Sequence, residues 1–117
     1  MEKKNVTINY KGVEYNVVFN LNVMEQLQET YGSISAWADL TEKEEPDAKA
    51  VIVGLAFMLN EGIEIDNEDN EGVDGYTPKK ELTTKQVGRL LTEVGLAEVK
   101  EKMHDTVINS TKTDEKN

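Results

Sequence analysis

The stretch DAKAVIVGLAFMLNEG, residues 47–62, decides the fold. Val51, Ile52, Leu55, Met58 and Leu59 recur at helical spacing and form one stripe. Ala50, Val53, Ala56 and Phe57 fill most of the remaining circumference. A helix that is apolar nearly all round is covered by other elements on several sides, so residues 47–60 read as a central helix. Pro46 suits its first turn, where a missing N–H costs nothing. Gly54 in mid-helix costs about 1 kcal/mol against alanine, which implies a compensating close approach of another backbone. Gly62 reads as the stop.

Upstream, residues 5–20 read as a β-hairpin. Val6, Ile8 and Tyr10 alternate with polar residues, as do Tyr15, Val17 and Phe19, and Lys11-Gly12 lies between them. A period of two directs Ile8, Val17 and Phe19 inward. A lone hairpin is marginal in water, so it must pack on helices or on another chain. Residues 21–31 read as a helix capped by Asn20 or Asn22, with Leu21, Met24, Leu27 and Tyr31 as its apolar face and Gly32 at its end. A short helical turn follows, capped by Ser33 or Ser35, with Ile34, Trp37 and Leu40 inward.

Downstream, residues 63–81 read as an exposed, flexible acidic loop. Glu64, Asp66, Glu68, Asp69, Glu71 and Asp74 have no basic residue among them, and Gly72, Gly75 and Pro78 add turn signals. Ile63, Ile65 and Val73 leave a short ribbon as the alternative. Thr83 with Gln86 forms a capping box. Two amphipathic stripes follow: Val87, Leu90, Leu91 and Val94, then, beyond Gly95, Leu96, Val99, Met103 and Val107. The fold expected is α+β, an N-terminal β-hairpin packed on a small bundle of four to five helices. Residues 1–109 make one domain, and 110–117 a polar, disordered tail.

The 117 residues carry 13 Lys and Arg against 23 Asp and Glu, a net charge of −10. Such a chain repels phosphate backbones, so neither nucleic acid nor an anionic membrane surface is an expected partner. No apolar run follows Met1-Glu2-Lys3-Lys4-Asn5 as a signal peptide demands. The run Val51–Leu59 falls far short of the ~20 residues of a membrane span. Absence of cysteine removes disulfides, thiolate metal sites and cysteine catalysis. A cytoplasmic protein is expected.

The chemistry of an enzyme is hard to find. Counted from Asn67 as a calcium loop, Asp69, Glu71 and Gly72 fall correctly, but the twelfth position is Pro78, which offers no side-chain ligand. Counted from Asp66, Glu71 falls where glycine is wanted. His104 is the sole histidine, with no second ligand nearby in sequence to complete a metal site. No glycine-rich phosphate or dinucleotide motif and no nucleophile elbow is present. The expectation is no catalysis, no cofactor and no metal. Aromatic and aliphatic residues outside the predicted core become the candidates for binding a protein: Tyr76 in the polar loop, and Leu90, Leu91, Val94, Leu96, Val99 and Met103 on the two last helices.

The order of parts carries a resemblance. A short hairpin leads into FNLNVMEQLQETYGS (19–33), an apolar helix ends LAFMLNEG (55–62), and LTTKQVGRLLTEVG (82–95) follows. Over residues 4–105 this is similar to the small tail assembly chaperones of long-tailed bacteriophages and related prophages. Phe19, Leu21, Asn22, Met24, Leu27, Tyr31 and Gly32 match that family's hairpin-to-helix junction, while the acidic stretch 63–78 is longer than its usual connection. The resemblance implies a non-catalytic protein of the host bacterial cytoplasm, absent from the finished virion. It implies binding to the tape-measure protein and help in recruiting tail-tube subunits, and it is compatible with a homo-oligomer. Many such proteins have a second, longer form made by frameshift; the resemblance implies that this chain would correspond to the shorter form. The rival expectation is an acidic inhibitor that mimics nucleic acid in the cleft of a basic protein. It draws on the carboxylates of 42–47 and 61–74, which the sequence places in loops instead of ordered ladders.

Overall fold

The structure, a computed structural model, describes residues 6–115, with side chains over 6–110. Lys11 and Gly12 both take positive φ, 52° and 78°, as a two-residue type I′ turn requires. They join β1 (Thr7–Tyr10) to β2 (Val13–Asn16) as an antiparallel pair, with Ile8 opposite Tyr15 and Tyr10 opposite Val13. One face of this ribbon buries Ile8, Tyr10 and Tyr15, and Val17 and Phe19 continue it as the chain leaves the sheet. The fold is α+β: this hairpin, then five helices among the described residues.

Asn20 opens α1 (Leu21–Tyr31), its side chain accepting a hydrogen bond from the Val23 N–H at 3.1 Å. Gly32 closes it with φ of 92°. The inward stripe is centred on Val23 and Leu27, flanked by Met24 and Tyr31. Leu21, expected on the inner face, is instead 78% exposed. Ser33 caps α2 (Ile34–Glu42), which delivers Trp37 to the core.

Asp47 caps α3 (Ala48–Asp69) by accepting from the Ala50 N–H at 2.9 Å, so Pro46 precedes the cap and does not occupy the first turn. As expected, α3 is central: it packs against β2, α1, α2 and α4 and buries nine of its residues. Its two inner glycines face different neighbours. A Cβ on Gly54 would lie 2.6 Å from Nε1 of Trp37, so the close approach is by an indole and not by a backbone. A Cβ on Gly62 would collide with the backbone carbonyl of Asn16.

That second contact corrects the reading of 63–81 as a flexible loop. Gly62 does not stop the helix; it lets β2 approach it, and Ile63 is buried just beyond. Glu64, Glu68 and Asp69 point to solvent from the continuing helix, which ends at Asn70. Turns with positive φ at Gly72 and Gly75 then reverse the chain. Residues 76–83 run back beside α3, held by two asparagines. Asn67 accepts from the Lys79 N–H and donates to the Lys79 carbonyl, both at 3.0 Å. Asn60 makes the same pair of bonds with Leu82, at 2.8 and 3.0 Å. Seven residues apart, the two amides share one face of the helix. No ribbon forms from Ile63, Ile65 and Val73 among the described residues.

The Thr83–Gln86 capping box is present and opens α4 (Thr84–Val94). Gly95, with φ of 112°, turns the chain into α5 (Leu96–Glu115). Val99 and Met103 seat α5 in the core, and Lys102 donates to the Thr7 carbonyl at 2.7 Å, tying the last helix to the first strand. The tail expected over 110–117 is helical as far as Glu115; Lys116 and Asn117 lie outside the described residues.

Candidate partner-binding surface

The amphipathic stripes of α4 and α5 are largely consumed inside the molecule. Leu90, Leu91, Val99 and Met103 are buried, which corrects their assignment to a partner-facing surface. Leu90 and Leu91 lie on α4, which packs on α3, and Met103 of α5 shares a seam with Trp37 of α2; a sequence pattern cannot distinguish that from an open face. Val94 is half-buried against the core. Tyr76 is half-buried too, its hydroxyl donating to Oδ1 of Asn67 at 2.6 Å, so it secures the returning segment. Only Leu96 of the seven is exposed, at 44%.

Leu96 borders an open apolar groove between α3 and α4. The two helices run antiparallel here: Asn60 meets Leu82, Ile52 meets Gly88, and Ala48 and Val51 lie by Leu91 and Leu96. Ile52 and Val53 form the floor, in a space of about 790 Å³. Gly88 leaves it open, since a Cβ there would make only an ordinary contact, 3.5 Å from Cδ1 of Ile52. Lys49, Lys85 and Arg89 stand along the groove, with Glu93 the single carboxylate of its lining. None of these three cations is in an ion pair among the described residues. On a chain of net charge −10 this is a local reversal of sign. Sequence reasoning missed these residues because Ile52 and Val53 read as core. The available signal was Lys85 and Arg89, one helical turn apart on either side of Gly88.

The acidic residues occupy a different stretch of α3. Asp66 accepts from Lys79 at 2.9 Å and from Asn16 at 3.1 Å, and Glu61 accepts from Asn20 at 2.8 Å and from Asn22 at 3.0 Å. Glu64 shares a hydrogen bond with Glu81 of the returning segment, which holds its carboxyl above the ordinary carboxylate pKa. Slight burial and the charges of Glu81, Glu61 and Glu68 push it the same way. Glu61, Glu64 and Glu68 thus rise along one side of a helix, contrary to the expectation of charge confined to loops.

His104 lies 3.8 Å from Glu42, both well exposed, and no cluster among the described residues offers three or more groups to a metal. No helix among them is long and apolar enough to cross a membrane. Comparison with known protein families, with curated proteins and with solved structures returns no match.

Proposed function

We propose that this protein is a phage tail assembly chaperone, acting by binding and not by catalysis in the host bacterial cytoplasm. Its partners are the tape-measure protein, which it keeps dispersed, and the tail-tube subunits it helps recruit. The reading starts from the resemblance carried by residues 19–33, 55–62 and 82–95. The observation that carries it physically is the α3–α4 groove: apolar surface left uncovered on a highly charged molecule. Such a surface can cover a sticky segment of another chain while the charged exterior keeps the complex apart from its copies. Co-expression with a tape-measure protein encoded beside it should raise that protein's soluble yield and co-purify with it. Unchanged solubility together with no co-purification would defeat the proposal.

The acidic series Glu61, Glu64, Glu68 and Glu81 favours a second reading, an inhibitor that presents carboxylates where a basic protein expects phosphates. That reading requires binding to a DNA-binding protein that moderate salt abolishes.

A further inference from the structure

We infer that the α3–α4 groove docks an amphipathic helix of another protein, one whose apolar stripe is bordered by Asp and Glu. Three observations converge on that chemistry. Along Ile52, Val53, Gly88 and Arg89 the walls are helix beyond the first turn, where backbone N–H groups are already bonded within each helix, and no strand edge opens into the groove. An incoming segment must therefore satisfy its own N–H and C=O groups while resting on Ile52 and Val53, and a helix does so. Gly88 lowers one wall, giving a third helix room to lie between two antiparallel ones. Lys49, Lys85 and Arg89, unpaired with any carboxylate among the described residues, set the sign of the border the occupant carries.

A second copy of this chain is poorly suited to the role. Its large exposed apolar side chains, Leu21, Val73, Leu96 and Ile108, are scattered over α1, the 70–75 turns and two well-separated positions of α5, and form no stripe on one helix. The inner stripe of the acidic helix α1, Val23 and Leu27, is already buried. This inference gives the partner of the chaperone reading a chemistry, and rests on that reading only for the partner's identity.

The test uses the full chain and two synthetic peptides of roughly five helical turns. Both have the same leucine-alanine stripe, bordered by glutamates in one and by lysines in the other. Amide shifts followed by NMR should move at Ile52, Gly88 and Arg89 with the glutamate peptide, which binds at least about tenfold more tightly than its twin and loses affinity with salt. Gly88→Leu should fill the groove and weaken binding about tenfold. Lys85→Glu with Arg89→Glu, both at exposed positions, should invert the preference toward the lysine peptide. The inference is overturned if neither peptide moves these amides, if the lysine peptide binds the unaltered chain as well as the other, or if the same amides shift with protein concentration alone, which would make a second copy the occupant. Because no tape-measure protein enters this test, its failure is separable from failure of the co-expression experiment.

Discussion

The indole of Trp37 lies in the space that a side chain at position 54 would fill, and Gly54 is what admits it. The ring is anchored there by its Nε1–H, which donates to the Ala50 carbonyl one turn earlier, at 2.9 Å. Gly54→Ala should therefore destabilise the protein although alanine is the better helix former. Overpacking of about 1–3 kcal/mol is set against a propensity gain of about 1 kcal/mol, for a net loss of up to about 2 kcal/mol in urea unfolding. Trp37→Phe, followed by circular dichroism because Trp37 is the only tryptophan, should cost about 1–2 kcal/mol for the lost hydrogen bond. The smaller ring leaves room for a methyl group, so the double variant should lose less than the sum of the two.

The same substitution should have opposite signs at the other two helical glycines. Gly88→Ala meets only an ordinary contact with Ile52 and should raise stability by about 0.5–1 kcal/mol. Gly62→Ala drives its methyl into the Asn16 carbonyl, which is backbone and cannot rotate aside. It should lower stability by about 2 kcal/mol or more and shift NMR signals of the hairpin. Equal effects at the two positions would contradict the close seating of β2 on α3.

Asn60 and Asn67 should be separable by hydrogen exchange. Asn67→Ala removes the acceptor for the Lys79 N–H and should speed exchange there, leaving the Leu82 amide nearly unchanged. Asn60→Ala should do the reverse. Each loses about 1–3 kcal/mol of local stability, the cost of leaving half-buried polar groups without a partner. Uniformly fast exchange over 76–83 in the unaltered chain would mean that the two amides do not hold the segment.

The Glu64–Glu81 contact predicts a pH dependence. A carboxyl whose folded pKa is raised favours folding while it is protonated, and that contribution is lost as pH rises from the unfolded value through the raised one. Glu64→Gln should therefore stabilise the protein modestly at neutral pH and lose its advantage in acid. Added salt should shrink the neutral-pH gain, since the group is close to solvent. An effect larger in acid than at neutral pH would contradict the contact.

Much of the fold is legible in local signals. Asn20, one of the two caps expected, and Gly32 bracket α1, and Thr83 with Gln86 fixes the start of α4, because caps are satisfied within a few residues of the chain. The misreadings arise where a residue answers to something distant in sequence. Gly62 resembles a terminator but serves the backbone of Asn16. The inward stripe on α1 keeps the expected Leu27 but takes in Val23 and leaves Leu21 outside, because the position of α3 decides which face is inward. Of the candidate surface, Leu96 alone was legible. The rest depends on how much of Ile52 and Val53 other helices leave uncovered, which no single segment records.

The two asparagine clamps grip main chain and disregard most of the side chains on the segment they hold: Thr77, Pro78, Lys80 and Glu81 all face outward. Evolution is thus at liberty to rewrite that ribbon's outer lettering, trading charge or bulk, without unseating it. The prohibition is narrow: proline at 79 or 82 would delete the hydrogen that a clamp needs.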